Sequence, residues 1–134
     1  MTIEYLTLDD YMAIAVEVTQ FDSATILKAS RLDLADSALH APAAGIGDED
    51  FYPDFVDKAA VLLVRLVKNH PLPDGNKRAG WVSLRLFLEL NRWTWTERPA
   101  VDDAEHLVVR VAAGDHDEDS VANWLRLRLV GPEQ

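Results

Sequence analysis

Two prolines one residue apart, Pro71 and Pro73, followed at once by Asp74-Gly75-Asn76, interrupt the most apolar part of this chain and dictate how it folds there. Each proline lacks an N–H and pushes the residue before it out of the α region, so a helix arriving from the N-terminal side has to stop. Asp74, Gly75 and Asn76 supply turn chemistry, and a long apolar segment then runs from Ala79 to Leu90. The spacing predicts a helix, a bent loop and the start of a second helix. Backbone N–H groups at such a helix start lack partners and point outward, where they can cradle an anion. The segment His70-Pro71-Leu72-Pro73-Asp74-Gly75-Asn76-Lys77-Arg78 sets a base, a carboxylate, a glycine and two cations within nine residues. It reads as a phosphate-handling loop.

The rest of the chain also reads as helices. Thr7-Leu8-Asp9-Asp10 has the form of a capping box ahead of Tyr11 to Thr19, Asp22 is placed to cap a short helix ending near Ala29, and Leu32 to Leu39 is another short periodic piece. Ala41 to Asp50, rich in Gly, Pro and acids, predicts a surface loop or small flap. From Pro53, a good first-turn residue, to Asn69 the stripe Val56, Ala60, Leu63, Val67 marks one helical face, and His70 falls next on it. Asp102-Asp103-Ala104-Glu105 opens a helix toward Ala113, and the acids at Asp117 to Asp119 precede a last one through Leu129. Trp81 to Leu90 and Trp124 to Leu129 alternate apolar and polar residues almost as strands do. Both are read as helix, the first because the sixteen residues from Asn76 to Asn91 exceed a normal strand. A short strand or extended turn fits Trp93 to Thr96. The expected fold is all-α, a single compact bundle of about six helices over residues 1–134, with a possible small flap or short strand.

Charge is more informative locally than in total. The chain has 13 basic and 23 acidic residues, a net charge of -10, which argues against direct nucleic acid binding. Between Arg65 and Arg98, however, stand seven basic residues and three acidic ones, so this stretch is +4 and the remainder -14. The loop lies in the basic part of an acidic protein. Arg65, Arg92 and Arg98 read as solvated helix faces. Absence of cysteine removes disulfides, thiolate metal sites and cysteine nucleophiles, and suits a reducing cytoplasm. No apolar run approaches the ~20 residues of a membrane span, so a cytoplasmic protein away from membranes is expected.

The residues His70, Asp74, Gly75, Asn76 and Arg78 resemble the signature of the Fic/Doc family, and specifically its Doc branch, the toxins of Phd/Doc-type toxin–antitoxin pairs. The wider pattern has a His, an apolar residue two later, an acid four later, then Gly-Asn-Gly-Arg and a second Arg three residues on. Lys77 stands where Fic proteins have the second glycine and Trp81 where they have the second arginine, and both departures are typical of the Doc branch. Leu72 replaces the usual phenylalanine. The likeness extends back through Tyr52-Pro53-Asp54 and Lys58-Ala59-Ala60 to Leu34–Leu39, covering roughly residues 32 to 92. It implies ATP as the nucleotide. Fic proteins commonly transfer AMP to a protein hydroxyl, whereas Doc is understood to bind the nucleotide reversed and to transfer the terminal phosphate, with the translation factor EF-Tu as its target class.

Carried over residue by residue, the resemblance makes His70 the base that takes the proton of a Ser or Thr hydroxyl. Asp74 would hold Mg²⁺, or orient His70 and the target. Gly75 and Asn76 offer N–H groups to phosphate oxygens, with the Asn76 amide as an extra donor, and Lys77 and Arg78 stabilise charge on the transferring group. A long cation at Lys77 fills space where a phosphate would approach a glycine backbone, and the missing second arginine removes a further clamp. Both favour phosphate transfer over AMP transfer. The expected function is a Doc-like protein kinase toxin, moving the γ-phosphate of ATP to a Ser/Thr hydroxyl of EF-Tu and arresting translation. An AMP transferase using the same loop and a catalytically silent antitoxin-binding module are the alternatives, and a His/Asp metal hydrolase lacks a second histidine–carboxylate cluster.

Singly, each residue has an ordinary role: histidines on apolar faces are usually core residues, Asp-Gly is a common turn, Asn a common N-cap, and a Lys-Arg pair a solvated helix end. Their joint occurrence carries the information. His40, His106 and His116 lack such company and read as structural or surface residues, and Trp81, Trp93, Trp95 and Trp124 read as core or interface anchors. The inhibitory-helix pattern of some Fic proteins, Ser or Thr followed four residues later by Glu and then Gly or Asn, does not occur. The resemblance therefore implies inhibition in trans by a small Phd-like antitoxin whose disordered C-terminal segment folds into a groove.

Overall fold

A helix apolar on nearly its whole circumference has to be covered from every side, and the segment ahead of the prolines is such a helix. The computed structural model describes residues 2–132. It contains α1 (Leu8–Thr19), α2 (Ser23–Ala29), α3 (Leu32–His40), α4 (Phe55–Asn69), α5 (Asn76–Leu90), α6 (Val101–Ala113) and α7 (Glu118–Arg126). A 3-10 turn at Ala41–Ala43 follows α3. Two antiparallel ribbons complete it, β1 (Gly45–Ile46) with β2 (Glu49–Asp50), and β3 (Thr94–Trp95) with β4 (Leu129–Val130). The described residues form seven α-helices, against an expected count of about six.

Helix α4 lies at the centre, against α3, α5, α6 and α7. The stripe Val56, Ala60, Leu63, Val67 is buried, but so are Phe55, Ala59, Val61, Leu62, Val64 and Leu66, so the buried surface is wider than one face. Against it α5 approaches closely at Gly80, where an added Cβ would stand 2.8 Å from Val67 Cγ2. The first ribbon is the flap expected over Ala41 to Asp50. Lys58, buried in α4, holds it down by donating from Nζ to the Pro42 carbonyl at 3.0 Å and to Asp50 Oδ2 at 2.9 Å.

Several boundaries differ from expectation for identifiable reasons. Helix α4 starts at Phe55 rather than Pro53, and Arg126 fixes that start by pairing with Asp54 at 3.0 Å and Asp57 at 2.8 Å. Helix α7 stops at Arg126 instead of running through Leu129, because Leu129 pairs with Trp95 in the second ribbon and is buried there. The alternation from Trp124 to Leu129 thus combines a helix end with a strand. Trp81 to Leu90 is helical throughout. Among the described residues no helix is long and apolar enough to cross a membrane.

Three helices carry side-chain caps. Thr7 and Asp10 close a capping box on α1, with bonds of 2.9 and 3.1 Å. Asp22 accepts the Thr25 N–H at 2.8 Å and Asp117 accepts the Ser120 N–H at 2.8 Å. These N–H bonds favour the ionised carboxylates and hold both pKa values below the ordinary 3.8. A carboxylate lowered in this way stabilises the fold above its unfolded pKa, and the contribution is lost as pH falls through the folded value. Asparagine caps comparably without titrating. The double variant Asp22→Asn, Asp117→Asn is expected to stay close to wild type at neutral pH and to show a flatter loss of stability below about pH 4, measured by urea unfolding across that range.

Candidate active site

His70 leaves α4 in the left-handed region, at φ 52° and ψ 53°, a conformation that side chains with a Cβ seldom adopt. The chain does not continue the α4 stripe as expected. It turns outward and exposes the imidazole. Three attachments hold the turn. Asn69 Nδ2 donates to the Leu34 carbonyl at 3.0 Å, the Arg31 N–H donates to the Pro71 carbonyl at 2.8 Å, and Leu72 is buried in the core. Asn76 then clamps Leu72 at both ends, accepting its N–H at Oδ1 and donating from Nδ2 to its carbonyl, each at 2.9 Å. Gly75, at φ 78°, caps α5 hard against α1, where a Cβ would stand 3.0 Å from Val18 Cγ1.

These attachments decide what the loop presents. The first backbone hydrogen bond of α5 is from the Ala79 N–H to the Gly75 carbonyl at 2.8 Å, so the N–H groups of Asn76, Lys77 and Arg78 precede it and open from the helix end. They open on a cleft of about 720 Å³, within the range of small-molecule sites. Its walls are the loop, the end of α1 at Val18 and Thr19, the α5 side chains Trp81 and Arg85, the residues Trp95, Arg98 and Pro99, and α6 at Val101, Ala104, Glu105, Val108 and Val109.

All six loop residues singled out in the sequence, His70, Asp74, Gly75, Asn76, Lys77 and Arg78, line this cleft. One assignment changes. The Asn76 side chain is not an extra phosphate donor: it is buried and both its polar atoms are engaged by Leu72, whose backbone groups would otherwise be left unpaired in the interior. Asn76 presents only its backbone N–H. Arg85 and Arg98 also reach the cleft, although Arg98 reads in the sequence as a solvated cation. Arg78, Trp81 and Arg85 follow at intervals of three and four, a helical face that was visible in the sequence. Nothing local announced Trp95 or Arg98, which arrive through the second ribbon and the approach to α6. Two tryptophans expected as anchors, Trp81 and Trp95, are cleft walls as well, whereas Trp93 stacks on Phe55 with ring centroids 5.0 Å apart. His40, His106 and His116 lie outside the cleft.

Among the described residues, the side chains of His70, Asp74, Lys77, Arg78, Arg85 and Arg98 make no hydrogen bond or ion pair with protein. Several cations elsewhere are held by carboxylates: Lys58 by Asp50 at 2.9 Å, Arg65 by Glu118 at 2.8 Å, and Arg126 by Asp54 and Asp57. Glu118 and Asp57 hold the Arg65 and Arg126 guanidinium pKa values above their ordinary range. The cleft gathers four unpaired cations against two carboxylates, Asp74 and Glu105. No group of three or more His, Asp or Glu suited to a metal ion occurs among the described residues. Mg²⁺ commonly takes one or two protein carboxylates and completes its shell with water and phosphate oxygens. The exposed Asp74 carboxylate fits that role.

A family model described as the Fic/DOC family matches residues 5–88, which span α1 through all but the last two residues of α5 and contain the whole loop. The chain is 43% identical over 96 residues to Toxin Doc of Mycolicibacterium smegmatis, covering 72% of this chain and 74% of that protein.

Two substitutions separate the loop's structural and chemical parts. Asn76→Asp keeps an acceptor for the Leu72 N–H but sets a carboxylate oxygen against the Leu72 carbonyl, and is expected to lower stability by about 2–3 kcal/mol. His70→Gly relieves the left-handed backbone and is expected to be at least as stable as wild type, by up to about 1 kcal/mol. Urea unfolding of both variants at neutral pH measures the contrast.

Proposed function

The chain belongs to the Fic/Doc family, and on that premise we propose that it is the toxin of a toxin–antitoxin pair, a transferase that moves the γ-phosphate of ATP onto a Ser or Thr hydroxyl of EF-Tu and so arrests translation. One observation carries the reading. An exposed imidazole at His70, the open N-terminus of α5 and a lysine at position 77, where the wider Fic pattern has glycine, line one cleft. The toxin assignment is supported by the likeness to Toxin Doc. A small Phd-like antitoxin acting in trans, in the cytoplasm, completes the proposal.

Phosphoryl transfer needs positioning and neutralisation of charge more than covalent help from the protein. The His70 imidazole accepts the proton of the incoming hydroxyl as its oxygen forms a bond to the γ-phosphorus. The bond from that phosphorus to the β–γ bridging oxygen breaks, and ADP leaves. The N–H groups of Asn76, Lys77 and Arg78 face the phosphate oxygens as fixed donors, Arg78 adds a planar fork and Lys77 a point charge. Asp74 would hold Mg²⁺, which neutralises phosphate charge when bound. A lysine in place of glycine takes up the room an α-phosphate would need to lie against the backbone, and this favours terminal phosphate transfer over AMP transfer.

The test is incubation with EF-Tu and ATP labelled at either the γ- or the α-phosphate. Label retained from the γ position is expected; label from the α position would make the protein an AMP transferase, and none from either a silent binding module. His70→Ala is expected to reduce transfer by about 10²–10⁴-fold. Transfer that survives this substitution would show that another group acts as the base.

A further inference from the structure

Past the phosphate end, the cleft wall changes character. Trp81 follows Arg78 by three residues, about 4.5 Å along the helix axis, and is half-buried on the cleft. Its ring stacks on Trp95 with centroids 5.9 Å apart and planes 23° from parallel, and both rings meet Trp124 edge-on at 6.3 Å. Trp124 is not part of the cleft wall, and Arg128 lies over its ring at 4.0 Å. Trp95 is held from the other side by the pairing of β3 with Leu129. The aromatic pair is therefore braced from behind and partly open in front. Opposite, α6 offers Val101 and Val109, both large apolar side chains left exposed.

A ligand matched to this cleft is anionic at one end and flat and aromatic at the other. We propose that Trp81, stacked on Trp95, is the nucleobase subsite of the donor nucleotide, taking the purine face while Lys77, Arg78 and the α5 N–H groups hold the phosphates. The proposal rests on the reading of the protein as an ATP-dependent transferase and adds to it the residue that recognises the base. Aromatic stacking with a base contributes about 1–3 kcal/mol, which converts to about 5- to 150-fold in affinity.

Inorganic tripolyphosphate carries the phosphates without the base, so the two ends of the cleft can be probed separately. With Mg²⁺ present, Trp81→Leu is expected to weaken ATP binding by about 5- to 150-fold while leaving tripolyphosphate binding unchanged, and Trp81→Phe is expected to recover most of the loss. In the wild-type protein ATP, but not tripolyphosphate, is expected to change tryptophan emission, a measurement that stands even if Trp81→Leu does not fold. Equal weakening of both ligands, or an unchanged ATP affinity, overturns the subsite. So does a variant that binds ATP normally and loses only affinity for EF-Tu, which would give the tryptophans to the acceptor protein. If the wild-type protein binds no ATP, the transferase reading falls and the subsite with it. ATP binding that is indifferent to Trp81 removes the subsite alone.

Discussion

The contact of α5 with α4 at Gly80 sets the terms for the rest of the molecule. With no side chain at that position, the two helices close to a separation at which a single Cβ would lie 2.8 Å from Val67 Cγ2 and 3.5 Å from Leu63 Cδ1. Helices packed so tightly can be joined only by a connection that reverses at once. The left-handed His70, the prolines around Leu72 and the left-handed Gly75 are the means. Widening the contact would lever the N-terminus of α5 away from the end of α4. The imidazole and the N–H groups that face one cleft would then face different spaces.

Local chemistry made some of this legible in advance. Thr7 with Asp10 and Asp22 marked their helices because a cap needs only residues three apart. The length of the segment from Asn76 settled helix over strand despite its alternation. What escaped depends on residues far apart in the chain. Leu129 leaves its helix because Trp95 offers a strand partner, a pairing no window around either residue contains. Arg98 is in the cleft because the ribbon carries the chain there. Asn76 misled for another reason: beside a glycine and two cations an amide looks like a ligand donor, and only the buried backbone of Leu72 shows what consumes it.

Electrostatics then concentrates what packing has placed. Outside the cleft, carboxylates on the flap, α4 and α7 hold Lys58, Arg65 and Arg126, so those cations add little to the outer field. In the cleft four cations face two carboxylates, a local excess of positive charge in a concave site, where field lines focus. An anion approaching this protein of net charge -10 meets a local excess of cations at the cleft. Its capture rate is correspondingly sensitive to ionic strength.

The clamp between Asn76 and Leu72 has a consequence for how such a site can be controlled. Ligand-binding loops commonly belong to the least stable parts of a protein and open on their own, and the loop from His70 to Arg78 lacks that freedom. This one is pinned by a buried amide and by a leucine seated in the core, so its opening is coupled to opening of the core itself. An agent that fills the cleft without opening the core leaves this loop in place and competes for the cleft's volume. Under the proposed function, the potency of such an agent would decline as nucleotide concentration rises, the signature of a competitor and not of a switch.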